Sequence, residues 1–125
     1  GVFICYDFMD VERFIMYRGT VQHFFVLAYN QDINTFINIA NTACRTVYCN
    51  VIVCNTGHYG GSIAVSPTQK SYLRTRYQHL GLELYTTQIV SLPVKDLIRA
   101  QHTDPYIETK DDRVFTGRPP GFINH

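Results

Sequence analysis

The stretch from Ile33 to Val47 constrains this chain more than any other. Ile33, Phe36, Ile37, Ala40, Cys44 and Val47 fall at i, i+3, i+4, i+7, i+11 and i+14, an apolar stripe with helical period. Gln31-Asp32 ahead of it suits a helix start. Before it, Val21 to Ala28 is a nearly continuous apolar run of strand length. After it, Tyr48 to Cys54 is another. Apolar strands bracketed by helical patterns point to an α/β fold, a parallel or mixed sheet covered by helices.

The opening residues repeat the pattern with a chemical difference. Val2 to Ile4 are β-branched and aromatic and suit a buried strand. Cys5 follows directly, then an amphipathic segment in which Asp10 suits an N-cap. Val11, Phe14, Ile15 and Arg18 keep helical spacing, and Gly19 sits where a helix stops. A strand–Cys–helix junction places a thiol at the carboxyl end of a strand, near backbone N–H groups that stabilise a thiolate or an oxyanion. A free cysteine is also commonly a small buried hydrophobe, and the local sequence leaves both readings open.

Bulk composition narrows the classes. A chain of 125 residues fits one domain that buries roughly two thirds of its unfolded surface. A hydrophobic fraction of 46% with 17% charged residues describes a packed core, not a disordered chain. A net charge of +1 argues against duplex nucleic acid or an anionic membrane as the main partner. No apolar run approaches a membrane span, and no signal peptide opens the chain. Gly1 leads straight into a strand pattern, as in a fragment of a longer polypeptide. Cys44, Cys49 and Cys54 are spaced five apart with His58 beyond, which raises zinc. Structural zinc, however, favours tight C-x₂-C turns, and Cys49 and Cys54 fall on opposite faces of a strand. No metal or cofactor is therefore expected, and a chain this apolar does not read as a secreted disulfide framework. The expected compartment is the reducing cytoplasm.

Further along, Asn55 to Gly61 is a polar, glycine-rich loop, and Ser62 to Ser66 is a short strand closed by Pro67. The loop lacks the G-x-x-x-x-G-K-[ST] pattern of a phosphate cradle. Between Gln69 and Leu84, Lys70, Arg74, Arg76 and His79 interleave with Tyr72 and Tyr77, and Tyr85 follows. The arrangement would suit single-stranded nucleic acid if all faced one groove, but it reads better as a solvated loop or hairpin. Tyr85 to Leu92 alternates as a strand, and Pro93 starts a short helix from Val94 to Ala100. Residues 101–125, with Pro105, Pro119 and Pro120, read as an extended polar tail that could wrap a neighbouring surface.

In this order the pieces resemble the carboxyl-terminal half of the carbon–nitrogen hydrolase (nitrilase) superfamily, over residues 1–100. Ile4-Cys5-Tyr6-Asp7 is similar to that family's nucleophile motif, with Glu12 where its glutamate falls and Val11 in place of its proline. Val51 to Gly57, carrying Asn55, resembles the strand ending in Asn before a Gly-containing loop. Tyr59 to Pro67 resembles the Gly-x-Ser strand closed by Asp-Pro, with Ser66 in place of the aspartate. Where the family usually carries Arg-Ala-x-Glu-Asn, this chain has Ala43-Cys44-Arg45-Thr46-Val47, and Thr68-Gln69 lacks the usual glycine.

The resemblance implies half of an α-β-β-α sandwich. It implies that Cys5 attacks an amide or nitrile carbon to form a thioester, with the backbone N–H of Tyr6 on the oxyanion. Asp7, Glu12, Asn55 and Tyr59 would be supporting residues. An oxyanion donor is worth roughly 3–4 kcal/mol in the barrier. The family's triad needs a glutamate and a lysine from upstream of the cysteine, and only four strand residues precede Cys5 here. The expectation is therefore a chain without amidase activity on its own. Its apolar sheet surface would be relieved by homo-oligomerisation or by docking to the rest of a longer polypeptide. The alternative is a non-catalytic nitrilase-like accessory module of a larger protein, such as one fused to a bacterial reverse transcriptase (an RNA-directed DNA polymerase).

Overall fold

The computed structural model describes residues 1–103 and 114–122. The order is β1 (Val2–Ile4), a 3₁₀ turn (Cys5–Met9), α1 (Val11–Met16), β2 (His23–Ala28), α2 (Ile33–Ala43) and a π-helical turn (Cys44–Tyr48). Then come β3 (Asn50–Asn55), β4 (Ile63–Val65), a 3₁₀ turn (Ser71–Leu73), β5 (Thr75–Gln78) and α3 (Lys95–His102). One mixed sheet carries the strands in the order β1-β2-β3-β4-β5. β1, β2 and β3 run parallel, each separated from the next by a helix, while β4 and β5 pair antiparallel. The expected mixed sheet and α/β class are present. The second sheet of a sandwich is not among the described residues.

The helical stripe faces the sheet as its period requires. Phe36, Ala40, Cys44 and Val47 are buried, and Ile37 packs against them. The last turn widens: Cys49 N donates to Cys44 O at 3.3 Å, five residues back, and Tyr48 turns to φ 64°. Below the helices, Phe3, Phe8, Phe14, Tyr17, Phe24 and Phe36 form a linked ring cluster with tilted and edge-on pairs, the closest being Phe3–Phe24 at 4.8 Å.

Strand alternation leaves the other face of the sheet open. Val2 and Ile4 on β1, and Phe25 and Leu27 on β2, are 47–63% exposed, while Phe3, Phe24 and Val26 between them are sealed. The register joins Val2, Phe25, Ile52, Ala64 and Tyr77 into one row on this face, and Ile4, Leu27 and Cys54 into another. On β1 and β2 this face is an uncovered apolar surface.

Three local readings are corrected. Asp10 stands at the N-cap of α1, but its side chain makes no cap hydrogen bond; it pairs instead with Arg13 Nε at 3.2 Å. A 3₁₀ turn, not the helix itself, follows Cys5. Residues 85–92 form no strand. Thr75–Gln78 takes the place beside β4, reached through a short connection, and residues 84–92 cross the open face above β3 and β4. Between them lies a cavity of about 610 Å³, lined by Phe25, Ile52, Cys54, Tyr77, His79 and Tyr85 among others. The basic–aromatic stretch is a turn and an edge strand, and Arg74 is spent internally, donating to Thr68 O at 2.9 Å.

At the far end, α3 docks through a buried amide. Gln101 Nε2 donates to Val21 O at 3.0 Å and Tyr48 O at 2.8 Å. Part of the expected tail lies on the body of the molecule: Gln69 N donates to Val114 O, Thr116 N donates to Pro67 O, and Tyr48 Oη donates to Thr116 O at 2.6 Å. The rest of the tail, residues 104–113 and 123–125, lies outside the described residues.

His23 on the open face gives a pH dependence. Burial, and secondarily the nearby amino terminus, hold its pKa below the ordinary value. An imidazole less basic in the folded than in the unfolded chain binds fewer protons when folded. Stability is then complete above about pH 6.5 and falls as pH drops from there toward the folded pKa. Urea midpoints measured from neutral to mildly acidic pH are expected to decline over that window, and the slope to flatten in His23→Gln.

Candidate active site

Three parallel strands end at the same edge of the sheet, and the residues directly after them meet there. β1 ends in Cys5, β2 in Tyr29-Asn30-Gln31, and β3 in Asn55 and its loop. Carboxyl ends of parallel strands are where α/β folds place ligands.

Cys5 adopts φ 48°, a left-handed backbone rarely taken by a residue with a side chain and costing on the order of 1–3 kcal/mol. The bend turns the chain from strand into the 3₁₀ turn and leaves the thiol half-exposed, donating to Tyr29 O at 3.8 Å. The N–H of Tyr6, in the first residues of that turn, has no acceptor within it. Its side chain is exposed. Asp7 pairs with Arg13 Nη1 at 3.2 Å and ties the turn to α1. Glu12 is exposed on α1 and makes no hydrogen bond or ion pair among the described residues. Neither carboxylate is bonded to Cys5.

Asn55 is the hinge pin of this edge. Its Oδ1 accepts from Asn30 N at 2.9 Å, and its Nδ2 donates to Asn30 O at 2.8 Å and Gly60 O at 2.6 Å. One amide thus extends the β2–β3 pairing by a step and holds the following loop closed. Ser62 Oγ adds to this, accepting from Asn55 N and donating to Asn55 O. The Gly-rich loop is glycine-dependent where it crosses residues 79–84: Gly60 and Gly61 take φ 73° and 82°, and a Cβ on Gly57 would lie 2.6 Å from Leu84 O.

Tyr59 reaches back to the β2 end. Its Oη accepts from Gln31 Nε2 at 3.0 Å, and its ring stands edge-on to Tyr29 at 5.4 Å. A side-chain hydrogen bond with Tyr59 holds the Tyr29 phenol above its usual pKa. On the same loop His58 Nδ1 pairs with Glu83, whose other oxygen accepts from Tyr85 Oη at 3.2 Å. That bond raises the Tyr85 pKa.

The structure therefore gathers Cys5, Asn55 and Tyr59 around the Tyr29–Gln31 turn, and leaves Asp7 and Glu12 on the α1 side. Tyr29, Asn30, Gln31 and the His58–Glu83 pair add hydrogen bonds here that the sequence did not point to: Gln31 read only as a helix start and His58 only as a zinc candidate. Their signal was position alone: directly after a parallel strand, or opposite a glycine-rich loop. The four thiols separate clearly. Burial pushes Cys44 up to about 12 and Cys49 well above the ordinary range, whereas Cys5 and Cys54 are accessible. Among the described residues no three His, Cys, Asp or Glu side chains are grouped to hold a metal ion, and no helix is long and apolar enough to cross a membrane. Compared with protein-family models, curated proteins and solved structures, the chain matches none.

Proposed function

We propose that this chain is the cysteine-bearing half of a carbon–nitrogen hydrolase-like domain, with Cys5 at the nucleophile position. The observation that carries the reading is the left-handed bend at Cys5, which sets an accessible thiol at the carboxyl end of a parallel strand. In the proposed chemistry the Cys5 thiolate adds to the carbon of a small amide or nitrile, and the N–H of Tyr6 donates to the developing anion. An amide then expels ammonia or an amine, protonated by an acid from outside the described residues, to leave a thioester. A nitrile gives a thioimidate, to which water adds before ammonia leaves and the same thioester forms. Water then cleaves the thioester to the acid and free thiol. Asn55 and Tyr59 act as positioning residues, holding the Tyr29–Gln31 turn against Cys5.

The chemistry needs a base and a cation beside the thiol, and the described residues bring neither a carboxylate nor a lysine into contact with it. The chain alone is expected to turn over no simple amide or nitrile. Ammonia release by the 125-residue protein, abolished in Cys5→Ala, would refute this. The site itself is tested by brief iodoacetamide treatment and peptide mass spectrometry. Cys44 and Cys49 serve as sealed controls, so the comparison is between the two accessible thiols. Modification of Cys5 at least several-fold faster than Cys54 supports the nucleophile position; equal or slower modification rejects it.

The absence of a base bonded to Cys5 among the described residues, together with the bare sheet face, also favours the second reading: a non-catalytic nitrilase-like module in a larger protein, for instance a reverse transcriptase. Cys5→Ser in the complete parent protein separates the two, since only the enzyme loses its activity.

A further inference from the structure

Two unmet features lie next to each other on the open side of the sheet. The first is the apolar face of β1 and β2, with Val2, Ile4, Phe25 and Leu27 uncovered, beside the outer edge of β1, which pairs with no strand among the described residues. The second is the segment of residues 85–92, which lies over β3 and β4 and makes no backbone hydrogen bond to any described residue. Its Ile89 is fully exposed and Tyr85 is 72% exposed. An unpaired edge and an unpaired segment are both templates for another chain.

We propose that a second copy of this chain covers the face, sheet against sheet, around a two-fold axis running between them along the strands. That operator lays β1 and β2 of each copy over those of the other and carries β3, β4 and β5 to opposite sides. Packed sheets stand about 10 Å apart. A segment resting on one sheet therefore lies at the level of the other, beside its outer strand. Residues 85–92 of each copy come alongside the free β1 edge of its partner, and both unmet features are satisfied by one contact.

Three further observations favour a second copy. The contact holds little charge among the described residues: residues 84–94 carry no charged side chain, His23 is the titratable side chain on the β1–β2 face, and the Gly1 ammonium at the start of β1 is tied down, donating to His23 O at 2.7 Å. The two-fold is self-complementary, since each copy offers one edge and one segment. The area is also adequate. Val2, Ile4, Phe25, Leu27, Tyr85 and Ile89 expose about 780 Å² per copy, at about 200 Å² for a fully exposed large side chain, close to the roughly 800 Å² per partner of a stable interface. The inference concerns this chain by itself, since in a complete carbon–nitrogen hydrolase-like domain the second sheet would take the same face, and it is independent of whether Cys5 reacts.

Sedimentation equilibrium of the full chain at micromolar concentration tests it, with Leu27→Arg and Ile89→Pro as variants and far-UV circular dichroism as the folding control. The expected result is a dimer, with dissociation constants raised about 30-fold or more by Leu27→Arg and about tenfold by Ile89→Pro. Ile89 is fully exposed within one copy, so its variant decides alone if Leu27→Arg does not fold. A wild-type monomer overturns the proposal. A dimer left unchanged by both variants overturns it too.

Discussion

Asn55→Asp is expected to lower stability by about 3 kcal/mol or more, although it changes one side-chain nitrogen to oxygen. Asn55 Nδ2 donates to two carbonyls, Asn30 O and Gly60 O, at 2.8 and 2.6 Å. An aspartate oxygen there would face both without a proton between them. Leaving a partly buried acceptor unpaired costs roughly 1–3 kcal/mol each, and more when a charge faces it. Asn55→Ala removes these two bonds and also the one that Oδ1 accepts from Asn30 N, but places no charge against the carbonyls, and should cost about 2 kcal/mol. The ordering of wild type, alanine and aspartate in urea denaturation is the diagnostic. An aspartate variant as stable as wild type would mean that the amide does not hold this edge. Because Asn30 follows Tyr29, whose carbonyl accepts from Cys5, both variants should also change the rate of Cys5 alkylation.

The second large effect is expected at Phe24. Its side chain is fully buried, with ring centres 4.8 Å from Phe3, 5.6 Å from Tyr17 and 6.0 Å from Phe14. Phe24→Ala removes the middle of that cluster and should cost about 3–5 kcal/mol. For a domain with total stability of about 5–15 kcal/mol, that leaves a marginal fold. The adjacent Phe25 points to the open face, 47% exposed, and Phe25→Ala should cost under about 1.5 kcal/mol, measured where the chain is monomeric. Equal effects at the two positions would show that the assigned facing of β2 is wrong.

Much of the architecture was legible because the relevant patterns are local. The stripe from Phe36 to Val47 reports a 3.6-residue period, and the alternation of Phe24, Phe25, Val26 and Leu27 reports a two-residue one. Either can be read within a dozen residues. The strand ending in Cys5 and the glycines that let Gly60 and Gly61 turn left-handed were visible for the same reason. Residues 85–92 were misread because alternation describes a strand's sides but not its partner. The place beside β4 went to Thr75–Gln78, which reaches it with a shorter loop to close.

The sequence by itself determined the α/β class, the order of strands and helices from β1 to β4, and the thiol at a strand end. These follow from side-chain periodicity and from which residues tolerate which backbone angles. Only the tertiary structure decided what surrounds that thiol. Asn55 meeting Asn30, Tyr59 meeting Gln31, and the sealing of Cys44 and Cys49 while Cys54 stays open depend on how strands 20 to 30 residues apart align. So does the bareness of the β1–β2 face. Alternation made that face apolar, but whether anything packs on it is settled by the rest of the fold, because burial belongs to the whole arrangement and not to any one segment.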